Sequence, residues 1–164
     1  KVMTTTNYST SPPTPELKSA NSDFAQAVQD SFAKQGIMRH INARLTAIQS
    51  GYVEISLPYS DEVSQQHGFF HGGVVGTIAD SAGGYAGFSL MAVGDGVLTV
   101  EFKINLLAPA DGELLIARGQ VVRPGRTLTI TRDPVLAVKS GHATLCGTMQ
   151  QTLMRIVGRS DVTG

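Results

Sequence analysis

The chain has no tryptophan and a single cysteine, and its charges cancel, with 13 Lys and Arg against 13 Asp and Glu. Each shortage excludes something. One cysteine, Cys146, cannot form an internal disulfide and fits a reducing, cytoplasmic setting. It falls in an expected strand, where a free thiol is a small core residue rather than a nucleophile. Balanced charge offers no field for nucleic acid or for an acidic membrane. No window approaches the ~20 apolar residues of a membrane span. The Ser-, Thr- and Pro-rich start has no apolar leader run. At 164 residues the chain is long enough for one domain with a proper core.

What is present is organised around Gln65-Gln66-His67-Gly68-Phe69-Phe70-His71-Gly72-Gly73 and the segment behind it. Val74 to Val93 reads as a helix that mixes small residues (Gly76, Ala79, Ala82, Gly83, Gly84, Ala86, Gly87) with apolar ones (Val74, Val75, Ile78, Tyr85, Phe88, Leu90, Met91). A helix without a polar face is expected to be buried. The Gly83-Gly84 pair costs about 1 kcal/mol of helix propensity per glycine, which predicts close approach of another backbone. Asp80 stands alone in the middle of this apolar segment, and an unpaired buried carboxylate is costly.

The first amides of this helix, at His71-Gly72-Gly73, lack intrahelical acceptors and lie at the positive dipole end. They suit a carbonyl oxygen that gains negative charge in a reaction. Gly72 and Asp80 are eight residues apart, about 12 Å along a helix. An aspartate side chain does not span that, so the pair cannot share a site within one chain. Two antiparallel copies of the helix would bring them together, which predicts a two-fold dimer with two equivalent sites.

Along the chain, residues 1–20 read as a disordered tail and 159–164 as a second tail, leaving one domain over 21–158. Asn21-Ser22-Asp23 is expected to cap a helix to about Gln35, with Phe24, Val28 and Phe32 on one face and Gly36 as its stop. Ile37–Ile48 reads as a strand, and Tyr52–Leu57 as its hairpin partner across Ser50-Gly51. Leu98, Val100, Phe102, Ile104 and Leu106 alternate with Thr99, Glu101, Lys103 and Asn105, which predicts one apolar face. Three further strands follow, with Asp133-Pro134 expected to make a bulge or an edge because proline cannot donate to a ladder. The expected class is α+β, with an antiparallel sheet wrapped around the apolar helix.

His67 and His71 have the four-residue spacing of zinc ligands, but Gly68, Gly72 and Gly73 put them in a loop, and no third ligand stands nearby in sequence. Arg123-Pro124-Gly125-Arg126-Thr127 is either a charged hairpin turn or a phosphate site made of two guanidiniums and turn amides. No strand–GxGxxG–helix unit is present.

Gln65, His71-Gly72-Gly73, Asp80, Pro109-Ala110 and Arg123–Thr127 together resemble the hot-dog-fold acyl-CoA thioesterases of the phenylacetate-degradation (PaaI-like) type, over roughly residues 36–155. The resemblance implies a hot-dog fold, an acyl-CoA substrate and a homodimer or homotetramer, with no cofactor. It implies that the Gly72 amide polarises the thioester carbonyl and that Asp80 is nucleophile or general base. Gln65 would orient water or substrate, and Thr99 would assist the carboxylate. His71 and Gly73 would line the substrate, while Arg123, Gly125, Arg126 and Thr127 would contact the coenzyme A phosphates. The chain departs from many relatives in having Gln rather than Asn at 65. Two rivals stand beside this reading. One is a hot-dog dehydratase using His67 with Asp80, though the proline-rich loop typical of dehydratases is missing around His67. The other is a non-catalytic acyl-CoA-binding module, which would have no need of Asp80.

Overall fold

The structure is a computed structural model and describes residues 17–162. In chain order it contains helices α1 (Phe24–Lys34) and α2 (Gly36–His40), strands β1 (Arg44–Gln49) and β2 (Tyr52–Pro58), and a 3-10 turn at Asp61–Val63. The long helix α3 (Gly72–Phe88) follows, and then strands β3 (Gly96–Leu106), β4 (Leu114–Arg123), β5 (Leu128–Lys139) and β6 (His142–Ile156). The six strands form one antiparallel sheet in the order β1-β2-β4-β5-β6-β3. Its inner face curls around α3. Ile55, Leu57, Leu115, Met149 and Leu153 are buried from the sheet, and Ile78, Ala79 and Ala82 from the helix.

Two glycines set how closely the layers meet. A Cβ at Gly119 on β4 would stand 2.1 Å from the Ala82 carbonyl oxygen, so the β4 backbone lies directly on α3. Gly83 admits side chains rather than backbone: a Cβ there would stand 2.0 Å from Gln151 Nε2. Gly84 meets nothing within 4 Å. The close approach expected at Gly83-Gly84 therefore falls on Gly83 and its neighbour Ala82.

Several expectations are corrected. α3 is not covered all round. Gly76, Thr77, Asp80, Ser81 and Gly84, spaced three or four apart, form a half-buried stripe that the sheet leaves open. The helix also begins at Gly72 and stops at Phe88, short of Val93. Ser89 Oγ donates back to the Ala86 carbonyl, and Leu90 and Met91 close tighter i to i−3 turns. The strand expected from Ile37 starts only at Arg44, because Gly36–His40 is helical with Met38 buried in the core. Asn42, in the left-handed region at φ 60°, ends that turn. Gly36 thus opens a second helix instead of only stopping the first, and Asp23 makes no side-chain cap to α1.

Nor is β3 cleanly alternating. A bulge between Thr99 and Glu101 inverts the phase, so Thr99 lies opposite buried Leu153, while Phe102 and Ile104 lie opposite buried Gln151 and Met149. Thr99, Phe102 and Ile104 therefore share the helix-facing side, and Leu98 is turned outward. Asp133-Pro134 makes neither the expected bulge nor an edge, since β5 runs unbroken between β4 and β6. Pairing with β4 lapses opposite Arg118–Gly119 and resumes in the same register, and the irregularity on the β6 side comes later, at Val135/Leu136.

The expected N-terminal tail lies outside the described residues over 1–16. Its last four residues are held: Leu17 packs on Gly51, and Ser19 Oγ donates to the Ser89 carbonyl at 2.6 Å. At the other end Val162 lies against Gly96.

Candidate active site

Asp80 sits on the open stripe of α3, one turn beyond Gly76 and Thr77. Thr99 Oγ1 donates to its Oδ1 at 2.8 Å, a contact that exists because the β3 bulge turns Thr99 inward. Burial pushes the Asp80 carboxyl above its ordinary value of 3.8, and the Thr99 bond partly opposes the rise. The result is a half-buried carboxylate of increased basicity, oriented by one hydroxyl.

Two cavities meet at Asp80. One lies between α1, α3 and the start of β3, with Ser31, Tyr85, Phe88, Val97 and Thr99 in its walls. The other is a groove along the open stripe, lined by Gly72, Gly73, Gly76, Thr77, Phe102 and Ile104. Gln35 and Ser81 border both, and Ser81 Oγ donates to Gln35 Oε1 at 3.3 Å. An elongated molecule lying in the groove would pass the Asp80 carboxylate before reaching the recess beside α1.

The amides at the start of α3 are mostly taken. His71 Nδ1 accepts from the Gly73 amide at 2.9 Å, and the His71 carbonyl oxygen accepts from the amides of Val74 and Val75. Among the described residues no acceptor meets the Gly72 N–H. His71 therefore works as the helix cap, and Gly72 supplies the free donor. Gln65 folds back onto its own loop, where its side chain accepts from the His67 amide. It lines a third cavity together with Gly72, Val75, Leu106 and Pro109, on the far side of Gly72 from Asp80. His67 is exposed, 3.3 Å from Gln66 Nε2, and belongs to neither cavity that Asp80 lines.

Arg123, Gly125, Arg126 and Thr127 are exposed at the β4–β5 turn. Thr129, Leu153 and Thr99 form one cross-strand row, so the turn lies at the Asp80 end of the sheet, two strands or about 10 Å across. Within one chain the structure thus groups Asp80, Thr99 and, at some distance, the arginine turn. Gly72 borders the same groove as Asp80 but two turns of α3 away from it, beside Leu106 and Gln65 at the other end of β3.

Sequence reasoning passed over Gln151 and Asp133. Gln151 Nε2 donates to the Asp80 carbonyl at 3.1 Å and to Asp133 Oδ2 at 3.0 Å, while its Oε1 faces Thr99 Oγ1 at 3.2 Å. The available signal was phase: Gln151 shares its strand face with buried Met149 and Leu153.

A sheet wrapped around one central helix, with a carboxylate on the helix's open stripe, is the hot-dog arrangement. The sequence profile of the thioesterase superfamily matches residues 67–132. A thioesterase family protein of Silicibacter pomeroyi is 48% identical and superposes with a TM-score of 0.81, over 82% of this chain and 99% of that one. A candidate esterase of Saccharolobus solfataricus is 28% identical over 109 residues, 66% of this chain and 77% of its own length. The Escherichia coli PaaI protein of the phenylacetic acid degradation operon superposes with a TM-score of 0.74 at 19% identity, over 85% of this chain and 98% of that one, a likeness of fold alone. The chain belongs to the thioesterase superfamily, the class whose reaction is hydrolysis of a thioester.

Proposed function

We propose that the protein is an acyl-CoA thioesterase, acting as a two-fold dimer with two shared sites. The observation that carries this reading is the Asp80–Thr99 pair at the junction of an open, largely apolar groove and a recess of mixed polar and apolar lining. Asp80 takes a proton from water as the water oxygen adds to the thioester carbonyl. The oxyanion forms against the Gly72 amide of the second copy, the C–S bond breaks, and the coenzyme A thiolate leaves to be protonated. Arg123 and Arg126 lie at the same end of the sheet as Asp80, where the nucleotide phosphates would emerge.

The dimer is argued from β3. It is an edge strand of eleven residues whose far side has no partner among the described residues. It also exposes apolar surface, with Val100 49%, Phe102 53% and Leu106 58% accessible. An uncovered apolar edge is a site for pairing. An antiparallel β3–β3 pair centred on Lys103 would, with the extra residue of the bulge at Val100 counted, set Leu106 of one copy opposite Thr99 of the other. Leu106 abuts Gly72, so this register delivers the free amide to the second copy's Asp80.

The test is a panel of aryl and aliphatic acyl-CoAs, read by release of free thiol, with wild type and Asp80→Asn. Wild type should turn over at least one class. In Asp80→Asn, kcat should fall about 10²–10⁴-fold with binding retained. Equal activity of the two proteins would remove Asp80 from the chemistry. No turnover by wild type would favour a module that only binds.

A further inference from the structure

Behind Asp80 the protein buries a second carboxyl. Asp133 on β5 is inaccessible to solvent, as are Thr131 and, within 1%, Gln151. Its Oδ2 accepts two hydrogen bonds, from Thr131 Oγ1 and Gln151 Nε2, both at 3.0 Å. Its Oδ1 has no partner. That oxygen lies against Gly83 of α3, where a Cβ would come within 2.4 Å of it. A buried acid with an idle oxygen is a poor way to fill a core. Here it is accommodated by a glycine in the very helix that carries Asp80.

The hydrogen-bond directions link the two acids. The Gln151 amide has two protons. One goes to the Asp80 carbonyl and one to Asp133 Oδ2, which leaves Oε1 as the atom facing Thr99. Thr99 has one hydroxyl proton and two acceptors, Asp80 Oδ1 at 2.8 Å and Gln151 Oε1 at 3.2 Å. One proton can serve only one of them at a time, so the hydroxyl can donate to Asp80 when that group is ionised and to Gln151 when Asp80 holds a proton of its own.

We propose that Asp133 is a positioning residue for the hydrolysis, holding the Gln151 amide so that Thr99 orients Asp80 and adjusts to its proton. This rests on the reading of Asp80 as the catalytic base. Ionisation of Asp133 strengthens the chain, because a charged acceptor binds Gln151 Nε2 more firmly and adds negative potential behind Asp80. Burial pushes the Asp133 carboxyl up to about 7, with a smaller contribution from the charge of Asp80. The groups acting on it are Asp80 from α3, Gln151 from β6, Thr131 from β5 and the Gln120 backbone from β4, and only Asp80 among them is ionisable.

The test compares wild type, Asp133→Asn and Thr131→Val by two readouts. The first is kcat and KM against pH with an acyl-CoA that wild type hydrolyses. The second is the carboxyl carbon NMR shift of Asp80 against pH without substrate. In wild type, kcat should rise in two steps, the second near pH 7, with KM level through that step. The Asp80 signal should record the same second step. Asp133→Asn should lose the second step in both readouts. Thr131→Val removes a bond that favours the charged form, so its second step should move to higher pH, which keeps the idea testable if the asparagine variant folds poorly. An Asp80 signal that titrates identically in wild type and Asp133→Asn, or a second step unmoved in Thr131→Val, overturns the proposal. If the NMR steps behave as stated while Asp80→Asn hydrolyses like wild type, the coupling stands and the catalytic assignment of Asp80 is what fails.

Discussion

Asp133 makes a stability prediction that needs no substrate. Its carboxyl ionises at about 7 in the fold, against 3.8 ordinarily. Between these values the folded chain holds a proton that the unfolded chain has released, so stability falls as pH rises through that window and levels off above about 7. At about 1.36 kcal/mol per pH unit the whole interval is worth about 4 kcal/mol, and the part between pH 5 and 7 nearly 3 kcal/mol. Asp133→Asn cannot ionise. Its oxygen can still accept from Gln151 and Thr131, while its NH₂ replaces the unpartnered Oδ1 and leaves donors unsatisfied, at a cost of about 1–3 kcal/mol. That offset does not vary with pH. The difference in unfolding free energy between variant and wild type should therefore move in the variant's favour by nearly 3 kcal/mol from pH 5 to pH 8. Titrating groups other than Asp80, which is coupled to Asp133, cancel in the difference. Urea unfolding at matched protein concentration measures it. A difference that stays constant across this range would show that Asp133 does not titrate there, and the burial argument would be wrong.

Phe102→Asp puts a charge in the exposed apolar stretch of β3 and should yield a monomer by light scattering, with hydrolysis lost; a fully active monomer would sink the shared-site reading. Gly83→Ala drives a methyl into Gln151 and Asp133 and should cost about 1–3 kcal/mol, as overpacking of a tight site does; an unchanged thermal midpoint would contradict the packing described. Arg126→Ala should raise KM for acyl-CoA, more so at low salt, and leave a short thioester without the nucleotide almost unaffected. Equal losses on both substrates would instead point to a folding defect.

The central helix, the sheet around it and the oddity of Asp80 are legible in the amino-acid order alone. These rest on local signals: small and apolar residues in one long helical segment, two-residue alternation in the strands, and a lone carboxylate without a neighbouring charge. Those signals depend on residues close along the chain, so a linear reading captures them. It also captured the distance that separates Gly72 from Asp80, because helix rise is constant.

Which groups meet depends on how the elements pack. The partner of Asp80 depends on a bulge that turns Thr99 inward, and alternation alone assigns Thr99 to the opposite face. Asp133 reads as a strand breaker beside Pro134, yet the ladder to β6 holds β5 together and buries the acid under Gly83. The stretch at Ile37 has the composition of a strand, but burial of Met38 and the turn at Asn42 make it helical. The open stripe on α3 becomes visible only once the sheet's extent is known, since a helix is exposed wherever no strand reaches it. Apart from the turn at Asn42, the deciding neighbour lies tens of residues away, and contacts of that range follow from how the layers pack.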